Sequence, residues 1–418
     1  GGSVRPHVEG GGSVRAAVHL LNCEYTELRD LEISNRGESA VPGLCGVLLE
    51  LADYGTAKGL ALNNLFIHDV FGSLVKEEGA GSAVMASCYH EKDKGVPSRF
   101  DGLEISNCHI LNCQRNGIMM WGNWERFNWF PSLNVVISHN LLEGVPGDGI
   151  VPAACHHPVV EYNVMRDCPA TLPPTEACDG IWPWSCDSAI IRFNVVSGHR
   201  SEVDGYGFDS DWNSSNSVFM YNLSYNNDGG FMLICNSGGW TKEWSKGNTG
   251  TIVKYNVSIN DGLRNYIPAN KTDYFSPVIH CTGPIDNTLI EKNLFILMKK
   301  PGKESDRTLI CFTDWNGQAT NTVFRNNYIR AEEPWRMAVT GLSVATVFEN
   351  NLVTGSLLKP ESGFLLTDTV FNRQLWYDPS DANWDTLITF ILNKTIVCGG
   401  QEMRVPDLIG PVSRGFQP

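Results

Sequence analysis

Short apolar strands that end in asparagine recur along the chain. Val136-Ile137-Ser138-His139-Asn140, Val159-Val160-Glu161-Tyr162-Asn163, Ile190-Ile191-Arg192-Phe193-Asn194 and Val218-Phe219-Met220-Tyr221-Asn222 are four consecutive examples. The same pattern closes at Asn35, Asn64, Asn107, Asn256, Asn293, Asn327 and Asn351, with spacings between 23 and 43 residues. A fixed strand with variable intervening length is what one coil of a solenoid of strands looks like. A single coil cannot bury its own apolar face, whereas stacked coils share one continuous core. Asparagine tolerates left-handed backbone and bonds its side-chain amide to nearby main chain, so a row of asparagines is expected to cap one corner of every coil. The predicted fold is all-β, a right-handed parallel β-helix. Leucine-rich and propeller repeats have motifs and blade periods that are missing here.

A second pattern follows each asparagine corner: glycine, then a large apolar residue, at Gly117-Ile118, Gly149-Ile150, Gly180-Ile181, Gly207-Phe208 and Gly230-Phe231. Strand alternation then assigns faces. If these apolar residues point inward, Met119 and Trp121, Val151 and Ala153, Trp182 and Trp184, Asp209 and Asp211, and Met232 and Ile234 point outward.

The repeat is expected to span residues 1–375, with 376–418 as an irregular C-terminal cap in which Asp381 to Asn393 forms a short amphipathic helix over the end of the solenoid. Arg5 to Gly12 reads as a coil corner, so an N-terminal cap is expected to be missing or supplied elsewhere.

Composition narrows the partner. The net charge of −14 among 418 residues argues against nucleic acid and anionic membrane, both of which call for a basic face. No apolar run reaches the length of a membrane span. Thirteen cysteines, an odd number without metal-like spacing, make a complete disulfide framework impossible and a zinc site unexpected. Buried free thiols are expected, including a stack of Cys155 and Cys186 with Cys235 nearby.

Tryptophan beside carboxylate on one outer wall is what a sugar site needs, because indole stacks on C–H faces while acids meet hydroxyls and the glycosidic oxygen. Residues i and i+2 of a strand lie about 6.6–6.8 Å apart at Cα, within reach of glycosidase carboxylate spacing. Asp209 and Asp211 are therefore candidate catalytic acids. Asp204, before Gly205, folds back over the same strand as a third. Candidate substrate-binding residues are Trp121, Trp124, Trp182, Trp184 and Trp212, with Asp148 and Asp179, whose Asp-Gly context is also ordinary turn chemistry. His156 and His157 could assist proton transfer, and Arg200 could clamp a substrate or a carboxylate.

Gly180-Ile181-Trp182-Pro183-Trp184, Asp204-Gly205-Tyr206-Gly207-Phe208-Asp209 and Gly229-Gly230-Phe231-Met232-Leu233 resemble stretches of the pectin-lyase-like β-helix superfamily. The resemblance covers roughly residues 16 to 355. In arrangement the chain is most similar to bacterial β-helix glycoside hydrolases such as the lacto-N-biosidases. That resemblance implies a pair of catalytic aspartates seven residues apart, a spacing Asp204 and Asp211 share. It also implies an oligosaccharide or polysaccharide substrate and a secreted, periplasmic or cell-surface location. Gly198-His199-Arg200 lacks the second glycine of a polygalacturonase motif. No cofactor is expected; calcium is the ion that a metal-assisted polysaccharide lyase, the first alternative, would need. A noncatalytic glycan-binding β-helix is the second.

Overall fold

The computed structural model describes residues 5–92, 94–262, 264–269, 274–299, 306–339, 343–358, 365–367, 370–371 and 380–409. Its strands pair in parallel, coil upon coil, as the repeat predicts. Val136–Ser138 pairs with Val159–Glu161, which pairs with Ile190–Arg192, and so on to Val347–Glu349. The chain is a right-handed parallel β-helix with three walls. This series forms the first wall, and the strands after each asparagine corner, such as Leu141–Glu143 and Val164–Arg166, form the second. The third wall holds the glycine-opened strands Asn116–Trp121, Tyr206–Ser210 and Gly230–Cys235 and continues in Ile279–Thr282. Among the described residues no helix is long and apolar enough to cross a membrane.

The asparagines do more than cap. From Asn140 to Asn351, eight of them (Asn140, Asn163, Asn194, Asn222, Asn256, Asn293, Asn327 and Asn351) lie fully buried in one row inside the corner. Each donates Nδ2 to a carbonyl of the preceding coil, and in the first seven the main-chain N–H and Nδ2 both reach Oδ1 of the next asparagine; Asn194 does so with Asn222 at 3.0 and 3.1 Å. The left-handed backbone sits one residue earlier than the sequence suggested, at His139, Tyr162, Phe193, Tyr221 and Tyr255. The asparagine must turn inward to bond its neighbours, so the preceding residue makes the bend and points out. Asn64 and Asn107 are exceptions that occupy the left-handed slot themselves, leaving Leu65 and Cys108 in the inner row. Asn35 belongs to another corner, bonding Val14 and Cys45 carbonyls.

Glycine recurs at the head of the third wall because the coils approach too closely for a side chain. A Cβ on Gly180 would lie 2.4 Å from the Gly207 carbonyl oxygen and 2.7 Å from Val196 Cγ1. The next residues, Ile118, Ile150, Ile181 and Phe208, align from coil to coil and are wholly buried.

The C-terminal helix Ala382–Asn393 exists, with Asp381 accepting the Asn383 N–H at its N-terminus. It lies along the flank of the coils and not across their end. Its apolar face covers the outward aromatic row of the asparagine corner, with Phe390 against Phe193 and Trp384 against Tyr255. Asp381 accepts from Tyr255 Oη and Lys292 Nζ, each at 2.7 Å, and Gly399 N–H reaches the His139 carbonyl. The row of outward-pointing rings created by the left-handed residues gives the helix a surface to dock on.

Candidate active site

Strand parity sets the site. Phe208 is buried in the core, so Asp209 and, two residues on, Asp211 face the other side of the third wall. On the coils before them the same outward positions hold Trp182 and Trp184, Val151 and Ala153, and Met119 and Trp121. On the coil after, parity slips. The N–H groups of Phe231 and Met232 both donate to the Val278 carbonyl, a bulge with two residues opposite one, and Gly230 sits at φ 147°. Met232 and Ile234 therefore face the core, and Leu233 and Cys235 stand outward beside Asp209 and Asp211, contrary to the simple alternation.

The bulge brings a thiol to the acids. Cys235 Sγ donates to Asp211 Oδ1 at 2.9 Å, and Asp209, Asp211 and Cys235 offer ligand-type atoms all within 4.8 Å of one another. Cys235 is thus separate from the thiol stack, which Cys155 and Cys186 form in the core. All thirteen cysteines are unpaired.

Asp209 is 3% exposed. Burial first, and then the charges of Asp211, Asp179, Asp204 and Asp148, hold its carboxyl well above the ordinary 3.8. Burial pushes Asp211 up to about 6, against hydrogen bonds from Cys235 and from the Trp212 N–H at 2.7 Å. Asp204 takes a left-handed conformation, φ 57°, in the strand Val203–Asp204 beside Ala177–Cys178. Its charge also raises Asp179 and Asp211, which groups it with them electrostatically. Its carbonyl and that of Ser201 accept from the buried Arg264. Asp204, Tyr206, Arg264 and His280 line a small cavity of about 150 Å³ on this side.

On the other side a cleft of about 540 Å³ runs back over the earlier coils, walled by Trp121, Trp182, Trp184 and Trp212 with Lys76 and Asp148 at its edge. Asp148 is fully buried and works as an anchor. Burial would raise it, but Lys76 at 3.5 Å and Arg115 at 2.6 Å outweigh that and hold it below the usual carboxylate range. Its Oδ1 accepts Trp182 Nε1 and the Asp179 N–H, and Asp179 Oδ1 accepts the Tyr206 N–H. Asp148 and Asp179 form a side-chain ladder leading to the strand that carries Asp209. Burial and then the charge of Asp204 push the Asp179 carboxyl well above the usual carboxylate range.

Trp184 is almost wholly covered. Trp121 stacks on it at 4.9 Å and Trp124 and Trp212 pack around it, so Trp121 offers the open ring face. Other expectations move. His156 and His157 stand exposed on the corner after the third wall, in register with Asp187 and away from the cleft, because their strand has already turned. Arg200 pairs with Asp228 at 2.7 Å and lines a separate hollow near Asp407. Lys76, Arg115, Tyr206, Arg264 and Cys235 are parts of the site that the sequence reading missed. Four of them depend on contacts across 24 to 72 residues, for which single-strand patterns carry no signal.

No family model matches the chain. It is 26% identical over 293 residues to the lacto-N-biosidase of Bifidobacterium longum subsp. longum, covering 58% of this chain and 18% of that protein. The chain therefore spans under a fifth of that relative's length. The crystal structure of a GH136 lacto-N-biosidase from Eubacterium ramulus superposes with a TM-score of 0.55 at 24% identity, over 71% of this chain and 48% of that one. Its selenomethionine derivative gives 0.56 at 23%, over 82% and 51%. The structural likeness establishes the shared β-helix fold.

Proposed function

We propose that the chain is a glycoside hydrolase that cleaves a neutral glycan lying along the third wall, with Asp204 and Asp211 as its working carboxylates. The observation that carries this reading is the pair Asp209 and Asp211 facing outward from the third wall directly before Trp212, a wall of the cleft, with Asp204 near enough for its charge to raise Asp211. A bond-cleaving site of this kind needs one carboxyl that can hold a proton near neutral pH and a second carboxylate nearby. Asp211, raised to about 6, suits the proton donor to the glycosidic oxygen. Asp204 supplies the second carboxylate from its corner. Asp209, its carboxyl pushed well above the ordinary range by burial and then by its acidic neighbours, resists ionisation and so limits the negative charge of the group. The rings of Trp121 and Trp182 stack the sugar, with Asp148 fixing the Trp182 indole. The likeness to a lacto-N-biosidase supports a glycan substrate, and such a role belongs outside the cytoplasm.

The test is a panel of plant, host and algal glycans incubated with the wild type and with Asp204→Asn and Asp211→Asn. Reducing sugar released by the wild type and lost in both variants is the expected result. Equal release by all three proteins would remove the assignment. An unsaturated, ultraviolet-absorbing product abolished by chelator would replace hydrolysis by elimination.

A further inference from the structure

Beyond the cleft, a second aromatic surface begins where Asp211 ends. The segment 237–247 leaves the third wall just after Cys235, the residue bonded to Asp211. Its Trp240 stacks on Trp212 at 5.2 Å with the planes 13° apart, and Trp212 directly follows Asp211. Trp244 meets Phe127 edge-on at 4.6 Å, and Trp315 joins the same edge through the hydrogen bond from Gly238 N–H to its carbonyl. Phe127, Trp240, Trp244 and Trp315 are 37–47% exposed. Rings of this size left open on a monomer mark a contact surface.

The backing is rigid. Arg126 binds both carboxylate oxygens of Asp187, at 3.0 and 3.1 Å, and its N–H reaches the Trp244 carbonyl. Lys246 bonds Asp187 through Nζ and Asn213 through its N–H, each at 3.0 Å. Two loops far apart in the chain are thus pinned together before any ligand arrives.

We propose that Phe127, Trp240, Trp244 and Trp315 form a binding platform for the arm of a neutral glycan that extends past the acids, so that the ligand is an oligosaccharide or polysaccharide longer than a disaccharide. Continuity argues for this occupant: Trp212 lines the cleft and also carries Trp240, so one chain of sugars can pass from the cleft, over Asp211, onto the platform. Chemistry argues for it too, since the exposed apolar groups are flat rings, which suit the C–H faces of pyranoses. The net charge of −14 disfavours an anionic chain. Calling this the far arm of a cleaved substrate rests on the hydrolase reading; binding by the platform does not.

The experiment uses the full chain carrying Asp211→Asn, to prevent turnover, and calorimetric titration with neutral β-glucan, xylan, mannan, chitin and galactose–N-acetylhexosamine oligosaccharides of two to six sugars. In the series that binds, the longer members should bind about fivefold or more tighter than the disaccharide, the scale of one aromatic contact. Trp240→Ala with Trp244→Ala should erase that gain and leave disaccharide affinity unchanged, while Trp240→Phe with Trp244→Phe retains part of it and controls for folding. A length gain that survives the alanine pair, equal affinity for short and long members, or no binding in any series overturns the platform. Length-dependent binding that needs Trp240 and Trp244, with no hydrolysis by the wild type, would end the hydrolase reading and leave the platform standing.

Discussion

Replacing Asp211 by asparagine should make the protein more stable at neutral pH. A carboxyl whose pKa rises on folding, here from 3.8 to about 6, is harder to ionise in the native state than in the unfolded chain. Below pH 4 both states hold the proton and the group is neutral in effect. Between about 4 and 6 the unfolded chain loses its proton first, and above 6 the full destabilisation is present. A rise of roughly two units at ~1.4 kcal/mol per unit sets it at up to about 3 kcal/mol. Asparagine keeps the shape and an oxygen that can accept from Cys235 and Trp212, so the change removes charge and little else. Urea denaturation of wild type and Asp211→Asn at pH 4 and pH 8 measures it. The variant should be more stable by about 1–3 kcal/mol at pH 8, and the difference should shrink toward zero at pH 4. A difference that is absent at pH 8, or is the same at both pH values, would mean that Asp211 is a solvated surface acid, and the case for it as a proton donor would go with it.

Three further outcomes follow from the contacts described. Cys235→Ala removes the thiol bond that favours ionised Asp211, so the pH profile of hydrolysis should move up by roughly half to one unit, read from initial rates between pH 4 and 9; an unmoved profile would separate the thiol from the acid. Arg115→Met leaves Asp148 buried with Lys76 as its remaining cationic partner, and should lower stability by about 3–5 kcal/mol in urea unfolding. Asn222→Ala strands the main-chain N–H of Asn194 inside the corner and takes one of three acceptors from its Nδ2, and should destabilise by roughly 1–3 kcal/mol, whereas the exposed Asn393 at the end of the C-terminal helix should tolerate alanine nearly unchanged.

How much of this could be read beforehand depends on the range of the interaction. Coil stacking and the inward set of Phe208 follow from period-two alternation, a local rule, and hence so does the outward set of Asp209 and Asp211. The rule failed at Phe231, where a bulge inserts one residue, and that failure hid Cys235 from view. The asparagine corner was legible as a repeat but misassigned by one residue, since periodicity does not say which of two neighbours takes the left-handed bend. His156, His157 and Arg200 lie near the aspartates in sequence, yet the chain turns a corner before one and pairs the other with Asp228. Lys76 and Trp240 reach the site from segments whose lengths obey no repeat, so nothing in the strand pattern announces them.

The helix strapped along the flank changes how the molecule should come apart. A solenoid built only of neighbour contacts can fray from its ends while the middle stays folded. Here one segment touches turns from His139 to Lys292 at once, so no turn in that interval can open without disturbing a splint shared by the others. Amide exchange should accordingly be slow and nearly uniform across that interval, and faster outside it, which would keep Asp204, Asp209 and Asp211 with Trp182, Trp184 and Trp212 in a single cooperative block.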